Sequence, residues 1–157
     1  MNKKMLIAVI LIFPFLFMGC SEDDHANDYS YRMSLKPKQV VKNYFKYYSE
    51  KNEQKLLSTL TAHHENTEWG FRGLKCIKPN SIEEDKDPIQ KEGYMKYGRG
   101  SINGVKEENV IIYKVDYEVK YRVNWIYPGE SGRYIKWFTL IRRDKNSPWL
   151  IDEVGEG

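Results

Sequence analysis

Cysteine is scarce in this chain: 157 residues hold two, Cys20 and Cys76, too few for a disulfide framework. Histidine is nearly as sparse, with three residues. No HExxH and no Cys-x-x-Cys spacing accompanies them, so no metal and no other cofactor is expected. A dominant charge is lacking too. Lys and Arg number 25 against 22 Asp and Glu, and Lys3 and Lys4 are the only charges before Cys20, so 23 basic residues face 22 acidic ones beyond it. That balance supplies no electropositive stripe, and nucleic acid is not an expected partner. The one long apolar run, Met5 to Met18, is interrupted by Pro14. Its fourteen residues reach about 21 Å at ~1.5 Å each, short of the roughly 30 Å hydrocarbon core, so it is not a spanning helix. No internal repeat is visible.

What that run does have is order. Lys3-Lys4 precede it, Gly19-Cys20 closes it, and Ser21-Glu22-Asp23-Asp24 follows, which is the layout of a secretory signal. Phe17-Met18-Gly19-Cys20 resembles the lipobox of bacterial lipoproteins, with Phe17 standing where leucine is usual. The resemblance implies a signal peptide over residues 1–19 and a lipid on Cys20 as the first mature residue. It also implies export and anchoring to the outer face of the cytoplasmic membrane. Two or more acyl chains, at about 0.8 kcal/mol per buried methylene, hold a protein there stably. Residues 20–36, polar and without an apolar period, are expected as the lipidated cysteine and a flexible tether, leaving 37–157 as one domain. Cys76, within Leu74-Lys75-Cys76-Ile77, is expected to be a buried, inert small hydrophobe.

In the domain, Pro37 suits a first helical position, and Val40, Val41, Tyr44, Phe45 and Tyr48 recur at helical spacing. Asn52 offers a cap for a second helix bearing Leu56, Leu57 and Leu60, which makes a helical hairpin. Leu74–Ile77 and Asn80–Ile82 suggest two short strands, with Pro79 marking an edge or a break. Asp87-Pro88-Ile89-Gln90 starts a helix running to Tyr97, ended by Gly98, Gly100 and Gly104. From Tyr113 to Asn124 tyrosine and valine alternate with charged or polar residues, the period of a strand with one wet face. A turn at Tyr127–Gly132, a partner strand over Arg133–Arg143, a second turn at Asp144–Pro148 and a last strand from Trp149 complete an antiparallel meander. The class is α+β, helices packed on an antiparallel sheet.

Pro37-Lys38-Gln39-Val40-Val41-Lys42-Asn43-Tyr44-Phe45 and Ser147-Pro148-Trp149-Leu150-Ile151-Asp152-Glu153 resemble the two ends of a nuclear transport factor 2-like domain. The resemblance implies a curved sheet wrapped around N-terminal helices, the cystatin-like cone. Ser81–Asp85 and Tyr97–Val105 are similar to stretches of a secreted lipoprotein family of unknown function from clostridia and related Gram-positive bacteria. The two likenesses together span Leu35 to Val154. They imply a fold and a location and no activity.

Three groups of residues bear on chemistry. His63-His64-Glu65, with Glu68 nearby, holds metal-ligand types, but neighbours on a helix diverge by about 100°, and a solvated helix end is expected. His25 lies in the tether. In a cone, Tyr117, Tyr121, Trp137, Tyr48 and Trp69 would line a pocket, and with Asp116, Glu118, Asp152 or Glu153 nearby a carboxylate base beside a tyrosine donor would make an isomerase-type site. Asp116 and Glu118, however, alternate with the tyrosines and belong to the other face. Arg122, Arg133, Lys136, Arg142 and Arg143 beside Tyr134, Trp137 and Phe138 compose a binding surface or an ordinary solvated sheet face. No catalytic residue is assigned. The expectation is a membrane-anchored binding domain with an envelope protein or cell-wall component as partner; the alternative is a ligand binder or isomerase- or hydrolase-like enzyme using the cone's pocket.

Overall fold

Pro37 begins the best-marked helix, and a computed structural model describes residues 22–122 and 130–156 around it. The signal peptide over 1–19, Cys20, Val123 and the turn residues Tyr127, Pro128 and Gly129 lie outside the described residues. Helix α1 spans Glu22–Ser34, α2 Pro37–Ser49 and α3 Glu53–Leu57, with a 3-10 turn at Ala62–His64. Strand β1 covers Leu74–Glu84, and α4 (Pro88–Tyr97), α5 (Gly100–Asn103) and a 3-10 turn (Glu107–Asn109) follow. Strands β2 (Val110–Tyr121), β3 (Gly132–Ile141) and β4 (Leu150–Gly155) complete the chain. The class is α+β: helices pack on an open four-stranded antiparallel sheet in the order β1-β2-β3-β4. Among the described residues no helix is long and apolar enough to cross a membrane.

The stretch expected as a tether is thus a helix for most of its length. Arg32 in its last turn suits the negative end of the helix dipole. Its anchors are few: the Tyr29 hydroxyl donates to the Asn146 carbonyl at 3.3 Å, the Tyr31 hydroxyl accepts from Asn43 Nδ2 at 3.5 Å, and Leu35, just beyond the helix, packs on the core.

Helix α2 buries Val40, Val41, Tyr44 and Phe45, the face its spacing predicts. It ends without glycine. Lys51 takes the left-handed conformation at φ 56°, its N–H bonds the Tyr48 carbonyl, and the Asn52 N–H bonds that of Tyr47. Asn52 then caps α3 by accepting from the Lys55 N–H at 3.0 Å. Leu56 and Leu60 join α2 in a core closed by Leu74, Ile77 and Ile82 of β1, Val115 and Val119 of β2, Phe138 and Leu140 of β3, and Ile151 of β4.

Strand β1 is one strand rather than two. Proline lacks the N–H a central ladder needs, but β1 is an edge, and the register shift between Pro79 and Ser81 absorbs it. Cys76 on this strand is half-buried rather than buried. Strand β2 begins three residues before the alternating pattern, at Val110. Tyr94 of α4 covers Val110 and Ile112 on the outer face there, so both faces are dry and no alternation announces the start.

Strand β4 carries an irregularity that matters below. Thr139 pairs with Glu153 and Leu140 with Ile151, so Asp152 has no partner across the ladder. It is the extra residue of a bulge, which re-aims its side chain. The outer edge of β4 is held by Thr59 to Thr61, whose backbone exchanges hydrogen bonds with Ile151 at 2.9 and 3.0 Å.

Candidate functional site: a tyrosine-lined cleft

Residues four apart on a helix share a face, and so do residues two apart on a strand. Tyr44 and Tyr48 on α2 therefore meet Tyr117 and Tyr121 on β2, while Tyr134, Lys136 and Phe138 on β3 complete the same surface. Between them lies an open cleft of about 480 Å³. Tyr117 and Tyr134 are directly opposite across the ladder, and their rings stack at 5.7 Å. Phe45 packs on Tyr117 at 5.2 Å and Tyr44 edge-on against Phe138 at 5.4 Å, which fixes the floor.

The polar tips divide into two sets. The Tyr48 hydroxyl donates to the Trp69 carbonyl at 2.6 Å, and that of Tyr134 to the Glu130 carbonyl at 2.7 Å. The Tyr44 and Tyr117 hydroxyls hold no hydrogen bond among the described residues, although Tyr44 is only 8% exposed. Burial, together with the neighbouring Tyr48, Tyr117 and Tyr121 phenols, raises the pKa of Tyr44 well above its ordinary value. Burial and the groups around Tyr117 push it up to about 12. Both stay neutral donors at physiological pH. Lys136 at the rim pairs with Glu156.

The structure thus brings together Tyr48, Tyr117 and Tyr121 of the expected pocket residues. Trp69 stands behind them, edge-on to Tyr48 at 5.9 Å, and its buried indole N–H has no partner among the described residues. Trp137 is a correction. It alternates with Phe138 and so points out of the opposite face, where its N–H donates to an Asp85 carboxylate oxygen at 2.5 Å. Asp116 and Glu118 also occupy that face. Arg133 and Asn80 hold the Asp116 carboxyl down at about 2, and Lys120 and Lys78 pair with Glu118 at 3.1 and 3.6 Å. The basic and aromatic residues of β3 make no single surface: Lys136 rims the cleft, Arg133 is on the opposite face, and Arg142 and Arg143 lie at the far end.

A second cluster is not legible in the sequence. The bulge turns Asp152 inward until it is 1% exposed. Its Oδ1 accepts from Thr61 Oγ1 at 2.7 Å. Its Oδ2 accepts from the Tyr94 hydroxyl at 2.7 Å, Asn103 Nδ2 at 3.1 Å and Arg99 Nε at 3.2 Å. His63 and His64, expected on a solvated helix end, lie on a 3-10 turn against this carboxylate with their rings 3.8 Å apart. His64 Nε2 donates to the Asp152 carbonyl at 3.1 Å. Because the Thr61 hydroxyl spends its proton on Asp152, it accepts from His63 Nδ1 at 2.8 Å, and this assigns the His63 tautomer. Burial lowers the pKa of both histidines, helped by Arg99 for His63 and by His63 for His64. Burial pushes Asp152 up, but the Tyr94 and Thr61 hydroxyls and the charges of Arg99 and His63 outweigh it and hold the carboxyl below its ordinary value. Burial and the bond to Asp152 push Tyr94 up. A carboxylate that accepts from four donors, one on Oδ1 and three on Oδ2, and is held ionised by them is a clamp joining α4, α5 and the His63 turn to β4. Among the described residues, no group of three or more His, Cys, Asp or Glu stands in metal-holding geometry.

A family model described as a domain of unknown function, DUF4829, matches residues 38–155. The chain belongs to that family. No curated protein and no solved structure matches it. The DUF4829 domain begins at the second residue of α2 and ends with β4, so it contains both the tyrosine cleft and the Asp152 cluster and leaves α1 outside.

Proposed function

We propose that this DUF4829 protein is an exported lipoprotein, anchored through lipid on Cys20 to the outer face of the cytoplasmic membrane, whose domain is a non-catalytic binding module. The observation that carries the binding reading is the tyrosine cleft. Its size suits a small ligand, its walls are rigid aromatic rings, and two phenol hydroxyls line it without a partner among the described residues. The fold is read as a nuclear transport factor 2-like cone, supported by an aromatic cleft between α2 and an open antiparallel sheet. Such walls favour an uncharged, ring-bearing ligand with hydroxyls of its own, and cell-wall glycan has that chemistry. An isomerase-type reading needs a carboxylate with raised pKa beside a tyrosine in the cleft. Asp152 with Tyr94 is a carboxylate–tyrosine pair, yet it lies outside the cleft and its carboxyl is held low.

Two experiments test this. Titration with soluble cell-wall glycan fragments is expected to give saturable shifts at Tyr44 and Tyr117, and binding unaltered by Tyr117→Ala would overturn the cleft as the site. Detergent phase separation is expected to move wild type, but not Cys20→Ala, into the detergent phase. Identical partitioning of the two would overturn the anchor.

A further inference from the structure

At the opposite end of the sheet from the tyrosines is a second cavity, of about 380 Å³. Its apolar floor is Val105, Ile141, Pro148 and Leu150, and its rim carries Arg142 and Arg143. No aspartate or glutamate lines it. That imbalance stands out in a chain whose charges nearly cancel.

The two guanidiniums differ in how they are held. Arg142 stacks on the Trp149 ring at 4.6 Å, and its Nε donates to Asn109 Oδ1 at 3.0 Å. Both supports are uncharged, and among the described residues Arg142 makes no ion pair, so its positive charge is positioned without being neutralised. Arg143 is extended into solvent with Nε 3.5 Å from Asp144. Asp144 Oδ1 accepts from Ser147 Oγ and the Asn146 N–H, each at 2.8 Å, while Oδ2 faces Arg143, and these groups together draw its pKa down. The other polar side chains of the wall already have acceptors: Thr61 and Asn103 donate to Asp152, Ser147 to Asp144 and Tyr29 to the Asn146 carbonyl. An occupant therefore finds an apolar floor, one arginine fork with no anion beside it among the described residues and a second, Arg143, whose exposed pair with Asp144 an incoming anion must compete with.

We infer that this cavity is a second ligand site, and that it takes an amphipathic anion: a carboxylate or phosphate headgroup on a short apolar tail. Arginine forks match the planar oxygens of a carboxylate or two oxygens of a phosphate, and the tail is covered by the four apolar side chains. The site is independent of the tyrosine cleft, since the two share no lining residue.

The test is amide NMR of the full chain in a zwitterionic detergent, titrated with octanoate, octyl phosphate and octyltrimethylammonium. Octanoate or octyl phosphate is expected to give saturable shifts at Asn103, Gly104, Ser147 and Leu150, and comparison of the two decides between a carboxylate and a phosphate source. The cation is expected to give none. Arg142→Gln and Arg143→Gln are each expected to weaken the anion by about tenfold, the scale of one charge-assisted hydrogen bond. Arg133→Gln, on an unrelated surface, is expected to leave it unchanged. Arg143 is exposed and bonded to no core group, so its variant remains informative if Arg142→Gln fails to fold. Equal shifts from cation and anion, no saturable shift with any probe, or anion binding indifferent to both arginine variants would each overturn the proposal.

Discussion

One sheet ends in two opposite ways. At the tyrosine end, phenol hydroxyls converge on an open cleft, and those of Tyr44 and Tyr117 hold no protein partner among the described residues. At the Asp152 end, a carboxylate that is 1% exposed is surrounded by Thr61, Tyr94, Arg99, Asn103 and His63. Both ends are rich in hydrogen-bonding groups. The difference is whether those groups have already found one another. Where they have, polarity serves stability; where they have not, it is left for a ligand.

The largest expected effect breaks the filled end. Asp152→Ala leaves Arg99 and a set of buried donors without their acceptor, and urea unfolding should show a loss of about 3 kcal/mol or more. A loss under about 1 kcal/mol would mean the cluster is an ornament of the surface. Next comes the same chemical change made at both ends. Tyr94→Phe removes a donor that Asp152 needs and should cost about 1–2 kcal/mol, whereas Tyr44→Phe removes a hydroxyl with no partner among the described residues and should change stability by less than about 0.5 kcal/mol. Equal losses would erase the comparison.

A pH series sharpens it further. His63 and His64 have folded pKa values below their unfolded value of about 6.5, so the unfolded chain takes up more protons as the solution becomes acidic. Stability should be complete above about pH 6.5 and decline below it, and the double variant His63→Gln, His64→Gln should flatten that segment. Asp152, also depressed, contributes above its unfolded value of about 3.9, and its share should vanish only as pH falls through the lower folded value. Tyr44 and Tyr117, both raised, stay neutral throughout, so ligand binding through them should be flat over the same range. The smallest effect lies at neither end. Lys51→Gly relieves the left-handed turn after α2 and should raise stability by about 0.5 kcal/mol, with both ends unaltered.

Much of the tyrosine end is legible in the amino-acid pattern alone. Tyr117 and Tyr121 share parity on a strand whose alternation is set by one wet face, and Tyr44 and Tyr48 share a helix face. Trp137 escapes that reading because parity on β3 is fixed only once Tyr134 is known to oppose Tyr117, which puts Trp137 with Arg133 on the far side. Helix α1 escapes it for lack of an apolar period; its ties to the domain run through the Tyr29 and Tyr31 hydroxyls and the leucine that follows it. The Asp152 end is illegible for a different reason. Thr61 and Asp152 are 91 residues apart, and what joins them is a bulge that depends on how β4 registers against β3. No local pattern announces a register shift.

That shift has one more consequence. With an odd spacing between them, Ile151 and Val154 would project to opposite sides of a regular strand, yet the first enters the main core and the second reaches the tyrosine cleft. Asp152 is the supernumerary residue that reconciles them. Excise it alone and the hydrogen-bonded rungs on either side close up into an unbroken ladder, with Leu140, Thr139 and Phe138 keeping their partners. The whole polar assembly at that end therefore hangs on a single inserted amino acid, on which Thr61, Tyr94, Arg99 and Asn103 all converge.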